Sequence, residues 1–118
     1  MKSKLSNILA PNDTVLFAYL FGSYAEGTQR EESDVDIAVY LSDTSLDARL
    51  SLHHMLEKEL DKEVDLVVLN DVKNIYFLEA ILRKGILLKE HETRAFFEVE
   101  KNHEIIDFKQ FRRYIDAA

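Results

Sequence analysis

The sequence contains no cysteine, which excludes disulfide bonds and metal sites built on thiolates. Its four histidines show no zinc-ligand spacing, so any metal ion must be held by oxygen atoms. Proline is almost absent: Pro11 is the single example, and it lies in a turn signal before the first apolar run. No linker rich in proline or serine divides the chain.

Long apolar runs are absent as well. No stretch reaches the roughly 18 apolar residues of a membrane-spanning helix, and the first residues lack the apolar centre of a signal peptide. We therefore expect a soluble, cytoplasmic protein with no membrane partner. The length of 118 residues, 47% of them hydrophobic, predicts one domain at residues 1–118. Within it we expect a core at about 14–89 and a carboxy-terminal helix at about 92–115.

Positive charge is in deficit, because 15 lysines and arginines face 22 aspartates and glutamates and leave a net charge of −7. Such a balance repels a nucleic-acid backbone unless the positive charges gather in one patch, and no long basic cluster occurs. Direct binding of nucleic acid is therefore not expected. A basic protein partner or a metal-bound nucleotide suits this charge better.

Apolar runs bounded by turn residues predict strands, and apolar residues spaced by three and four predict helices. The predicted elements are, in order, strand Val15–Phe21, a short helix or loop at 23–27, strand Val35–Leu41, helix 46–60, strand 64–69, helix 72–84 ended by Gly85, strand 86–88 and helix 93–115. The first two strands are expected in the centre of the sheet and the strand at 86–88 at its edge. This order indicates an α/β or α+β fold with a small mixed β-sheet flanked by helices.

The last predicted helix is rich in large apolar residues. They are Phe96, Phe97, Val99, Ile105, Phe108, Phe111, Tyr114 and Ile115. Such a stripe either packs in the core or forms a groove for a partner, and different parts of one helix can do each.

Two aspartates, Asp34 and Asp36, open the second predicted strand, where residues i and i+2 project from the same face. Two like charges held this close need a cation between them. Asp65 is the other carboxylate inside an apolar strand pattern, and it reaches the same place if the third strand pairs with the second. Three carboxylates form an oxygen-only site suited to Mg²⁺. Two such ions, about 3.5–4 Å apart, would clamp the attacking and leaving oxygens of a displacement at phosphorus.

Gly22 and Ser23 directly follow the first predicted strand. Gly22 allows the backbone to come close to a phosphate, and the amide and hydroxyl of Ser23 can donate to phosphate oxygens. Each part alone has a simpler explanation, because an Asp-x-Asp pair is usually a solvated turn or strand entrance, and Asp65 could be the last solvated residue before its strand. The combination indicates a site for a metal-bound triphosphate. It is not a P-loop, since Thr28 and Gln29 stand where that motif requires lysine and serine or threonine.

Three motifs carry a family resemblance: Gly22-Ser23-x-Ala25-x-Gly27, then Ser33-Asp34-x-Asp36, then Asp65 in Val-Asp-Leu-Val-Val. Together they resemble the nucleotidyltransferase superfamily related to DNA polymerase beta. Within it the chain is similar to the minimal nucleotidyltransferases, the MNT antitoxins whose partner toxins carry HEPN ribonuclease domains. The resemblance covers most of residues 15–89. One departure is Glu26, where many relatives have arginine.

The resemblance implies that Asp34 and Asp36 bind two Mg²⁺ ions, and that Asp65 holds the catalytic one and helps to take the proton from the attacking hydroxyl. Gly22 and Ser23 would hold the triphosphate of ATP. The implied reaction moves AMP from ATP to a tyrosine of a HEPN toxin, with which the protein forms a hetero-oligomer, and so silences the ribonuclease.

Two alternatives remain at this point. The protein could neutralise a toxin by binding alone, with a vestigial or structural metal site. It could also be a nucleotidyltransferase that acts on a small molecule such as an aminoglycoside, or on an RNA end. Both of these acceptors usually require an added substrate-binding domain, for which the sequence has no room, and the negative charge further disfavours RNA.

Overall fold

The computed structural model describes residues 1–117, with side chains for residues 1–116, so that Ala118, the last residue of the predicted domain, lies outside the described residues. Helices and strands alternate along the described chain. They are α1 (Lys2–Leu9), β1 (Val15–Phe21), α2 (Ser23–Glu26), β2 (Val35–Leu41), α3 (Leu46–Leu60), β3 (Val64–Val68), a 3-10 turn (Leu69–Asp71), α4 (Ile75–Lys84), β4 (Ile86–Lys89) and α5 (Thr93–Ala117).

The four strands form one mixed sheet in the order β3-β2-β1-β4. Strand β1 pairs antiparallel with both β2 and β4, whereas β2 and β3 run parallel. The predicted α/β class with a small mixed sheet is therefore confirmed, as are the central positions of β1 and β2 and the edge position of β4. Within residues 1–117, no helix is both long enough and apolar enough to span a membrane.

Helices cover both faces of the sheet, and the alternation of side chains along β1 explains why. One face carries Leu20 and packs against leucines of α1 and α3, while the other carries Phe17 and Tyr19 and packs against α4 and α5. Phe17 and Leu20 have no exposed surface. Each fully buried leucine or phenylalanine stabilises the fold by about 1.5–3 kcal/mol. The sheet therefore lies in the middle of three layers.

Helix α5 packs along only part of its length. Phe97 and Ile105 are buried, and the Tyr19 hydroxyl of β1 donates a hydrogen bond to Glu98. On the rest of the helix large apolar side chains are exposed: Phe96, Val99, Ile106, Phe111, Tyr114 and Ile115. Of the two explanations for the apolar stripe, the core explanation holds for the buried residues and not for the exposed ones.

Helix α1 was not predicted from the sequence. This helix has eight residues and no side-chain cap at Met1, so its amino-terminal signal is weak. It is stabilised instead by burial, because Leu5 and Leu9 lie one turn apart and are fully buried. The amino group of Lys89 also binds its last carbonyl, that of Leu9, at 3.2 Å.

The predicted start of the helix at 72–84, which corresponds to α4, was also wrong. Helix α4 begins at Ile75 rather than at 72, because the side-chain oxygen of Asn74 caps it by accepting from the amides of Tyr76 and Phe77. Gly85 ends the helix as predicted, but its backbone is extended (φ −67°). Glycine is required at this position for a steric reason, because a Cβ atom on residue 85 would lie 2.4 Å from the Ile81 carbonyl oxygen.

The side chain of Asn70 ties the 3-10 turn to the end of β2. Its Oδ1 accepts from the Leu41 amide and its Nδ2 donates to the Leu41 carbonyl, both at 3.0 Å. We expect Asn70→Ala to lower the free energy of unfolding by about 1–2 kcal/mol, because two half-buried backbone groups lose their partner. Urea denaturation measures this loss. The exposed Asn102 provides the control, and an equal effect of Asn102→Ala would contradict the assigned role.

Candidate functional site

Two of the three predicted carboxylates are direct neighbours in the sheet. Asp36 on β2 and Asp65 on β3 are register partners in the parallel pair, as predicted from the sequence on the condition that these strands are adjacent. Both lie on the face that packs against α4 and α5, because Asp36 lies two residues before Ala38 and Asp65 two residues before Val67, and both of these residues belong to that face. Asp34 lies one residue before β2 begins. Asp36 is half-buried, whereas Asp34 and Asp65 are exposed.

The electrostatics of Asp36 reflect this crowding. Burial raises the pKa of Asp36 above its ordinary value, and the charges of Asp65 and Asp34 and a hydrogen bond with Asp65 raise this pKa further. The site therefore concentrates negative charge, and among residues 1–116 no lysine, arginine or histidine forms an ion pair with Asp34, Asp36 or Asp65. It is suited to a bound cation, and carboxylate oxygens are the ligands that Mg²⁺ prefers.

The described residues do not bring three potential ligands together. Among residues 1–116, no group of three histidine, cysteine, aspartate or glutamate side chains is arranged to hold a metal ion. What the structure brings together is the pair Asp36 and Asp65, with the charge of Asp34 acting on the same carboxyl group. The donor chemistry fits a divalent cation, and the side-chain arrangement is that of an open pair.

Gly22 lies directly against Asp36. Strand β1 ends at Phe21, the register partner of Asp36, and the next residue turns the chain into α2 with φ +69° and ψ −151°. A Cβ at this position would lie 2.1 Å from Asp36 Oδ2. Both the backbone conformation and the space therefore require glycine here. The following residue, Ser23, is the first residue of α2 and is half-buried.

A cleft of about 190 Å³ adjoins this turn. It is lined by Phe21, Gly22, Glu26, Phe77, Ala80, Ile81 and Lys84. The rings of Phe21 and Phe77 meet edge to face at 5.7 Å, so the walls are largely apolar. At the rim, Lys84 Nζ lies 3.7 Å from Glu26 Oε1. This lysine was not among the predicted site residues, although its spacing from Phe77 and Ile81 places the three on one face of α4.

This fold and site define a nucleotidyltransferase of the polymerase beta type: a mixed sheet with a Gly-Ser turn at the end of a central strand and an Asp-x-Asp pair at the start of its neighbour. Residues 3–94 match the family "Polymerase beta, Nucleotidyltransferase", and the chain belongs to this family. The resemblance that the sequence motifs indicated is therefore confirmed.

Within this family, the chain is similar to protein adenylyltransferases and to chains in toxin–antitoxin structures. The chain is 44% identical over 102 residues to the protein adenylyltransferase MntA of Shewanella oneidensis, and the match covers 84% of this chain and 73% of that protein. It is also similar to a chain in a crystal structure of a toxin–antitoxin with AMP-PNP. That similarity has a TM-score of 0.79 and 31% identity, and covers 98% of this chain and 95% of the other.

A further solved structure contains the tri-AMPylated HEPN toxin of Shewanella oneidensis in complex with the MNT antitoxin. The matched chain has a TM-score of 0.72 and 27% identity, with coverage of 99% of this chain and 97% of the other. These matches include α5 as well as the sheet, because they cover almost the whole chain.

Proposed function

We propose that this protein is an antitoxin that transfers AMP from ATP to a hydroxyl, that of a tyrosine, on a partner toxin of the HEPN class. The observation that carries the proposal is the pairing of Asp36 with Asp65 beside Gly22, where no side chain fits. The similarity to the adenylyltransferase MntA and to toxin–antitoxin structures supports the nucleotide and the partner. We propose the cytoplasm as the location, and residues 14–89 as the catalytic core.

In this proposal Asp34, Asp36 and Asp65 would hold two Mg²⁺ ions, which would supply positive charge to the triphosphate and lower the pKa of the acceptor hydroxyl. Asp65 receives the proton of that hydroxyl. The backbone at Gly22 and the hydroxyl of Ser23 hold the phosphates, because the absent side chain at Gly22 leaves room beside Asp36. A bond forms between the acceptor oxygen and the α-phosphorus, and the bond from that phosphorus to pyrophosphate breaks.

The order of the strands supports a proposed direction for this reaction. Asp65 lies on β3, Asp36 on β2 and Gly22 after β1, so Asp36 is in the middle of the row. In an in-line displacement the attacking and leaving oxygens lie on opposite sides of phosphorus. The acceptor therefore approaches from the side of Asp65, and pyrophosphate leaves towards Gly22. Holding the reactants in this geometry provides much of the rate enhancement.

The test is a mass spectrum of the cognate HEPN protein after incubation with this protein, ATP and Mg²⁺. We expect the partner to gain whole AMP units on a tyrosine. A matched incubation with the Asp34→Ala/Asp36→Ala variant should leave the partner unmodified. An unmodified partner in both incubations that still forms a tight complex would contradict the enzymatic proposal and favour neutralisation by binding alone.

A further inference from the structure

We propose that Lys84 binds the β- and γ-phosphates of the nucleotide and the departing pyrophosphate, and that Glu26 is its counter-ion while no nucleotide is bound. This inference rests on the proposed function and extends it to the leaving group. Both residues line the cleft beside Gly22.

The position of the cleft agrees with the direction of the reaction. Across one face of the sheet, the row runs from Asp65 through Asp36 to Phe21, and α4, which packs over this face, forms a wall of the cleft. The cleft lies between the end of β1 and this wall, on the opposite side of Asp36 from Asp65. A leaving group that moves away from the acceptor enters this cleft.

The leaving group gains negative charge as its bond to the α-phosphorus breaks, so a cation placed there stabilises the transition state more than the bound substrate. Among the residues that line the cleft, Lys84 is the one with a positive charge. The side chains of Phe77 and Ile81 make the walls beside Lys84 apolar, so they offer a phosphate no competing charge. Lysine is a common ligand for phosphate as a mobile point charge.

The contact between Lys84 and Glu26 is easily exchanged. The Lys84 side chain is 71% exposed and that of Glu26 is 49% exposed, and the two charged atoms are 3.7 Å apart. Exposed ion pairs of this kind contribute little to stability. A triphosphate can therefore take the place of Glu26, whose own charge repels the incoming phosphates. Removing the charge of Glu26 should favour nucleotide binding, and removing that of Lys84 should oppose it.

The experiment measures binding by calorimetry in the presence of Mg²⁺ and without acceptor. The two probes are α,β-methylene-ATP, in which the bond broken by transfer is blocked, and AMP, which has no β- or γ-phosphate. We expect Lys84→Met to weaken binding of α,β-methylene-ATP about tenfold, the size of one charged hydrogen bond, and to leave AMP unaffected. Glu26→Gln should tighten binding of α,β-methylene-ATP, and Lys84→Arg should retain most of it.

The adjacent Arg83 is the matched control. It is exposed on the same turn of α4 and does not line the cleft, so Arg83→Met removes the same charge without the proposed contact. Equal losses in Arg83→Met and Lys84→Met, or equal effects on AMP and α,β-methylene-ATP, would overturn the inference. Unchanged binding by Lys84→Met would do the same while leaving the proposed function intact. Failure of the unaltered protein to bind α,β-methylene-ATP at all would overturn the proposed function and this inference with it.

Discussion

Replacing both Asp34 and Asp36 by alanine is expected to lower the rate of AMP transfer by about a thousandfold or more, because the proposed site loses most of the charge that positions the metal-bound triphosphate. The fold should survive, since Asp34 is exposed and Asp36 is half-buried in a row of like charges. The rate of transfer of labelled AMP to the HEPN partner measures the loss, and circular dichroism checks the fold.

The same double variant should also differ from the unaltered protein in how its stability depends on pH. Because the pKa of Asp36 is raised in the folded protein, the folded state holds this proton more tightly than the unfolded state, and stability falls as pH rises through the folded pKa. The double variant lacks this penalty. We expect it to melt at a higher temperature than the unaltered protein at neutral pH, with a difference that disappears below the ordinary pKa of aspartate. A variant that melts lower at neutral pH would show that the pair has a structural role.

Gly22→Ala is expected to lose both stability and activity. The conformation at Gly22, with φ +69° and ψ −151°, is one that glycine alone adopts readily, and we expect alanine to lower the free energy of unfolding by about 2–3 kcal/mol. The new methyl group would also push away the Asp36 carboxylate, which is only 2.1 Å from its position. We expect AMP transfer to fall by about a hundredfold, the usual effect of one misplaced catalytic contact. Urea denaturation and the transfer assay measure the two effects.

Gly27→Ala separates these two causes. Gly27 also has a positive φ, of +76°, but nothing lies within 4 Å of its missing Cβ. Alanine there should cost about 1–2 kcal/mol of stability and leave AMP transfer nearly unchanged. If the two variants lost activity equally, backbone strain rather than the displacement of Asp36 would explain the effect at Gly22.

The elements that could be predicted from the sequence are those with strong local signals. The bounds of β1 and β2 follow from apolar runs bounded by turn residues, and those of α3 from apolar spacing after a serine that caps it. Helix α1 lacks both a cap and length, and it forms because Leu5 and Leu9 are buried against residues far along the chain. A local pattern does not contain that information.

The same distinction applies to the site. Asp34 and Asp36 form a local pattern, and Asp65 could be added only on the condition that its strand pairs beside β2, which is a long-range property. The cleft could not be predicted from the sequence, because it also depends on contacts between distant parts of the chain. Lys84 meets Glu26 because α4 packs beside the turn after β1, and no spacing in the sequence relates these two residues.

The strand order also bears on the sequence of events in folding. Strands β1 and β2 follow each other closely, and α3 returns the chain directly to β3, so these pairings close shorter loops than the pairing of β4 with β1 does. Strand β4 must find β1 from a distant part of the chain, which costs more entropy and is expected later. The aspartates of β2 and β3 would then come together before α4 and β4 are in place. A chain arrested at that stage would have its paired carboxylates but no cleft in which a leaving group could be held.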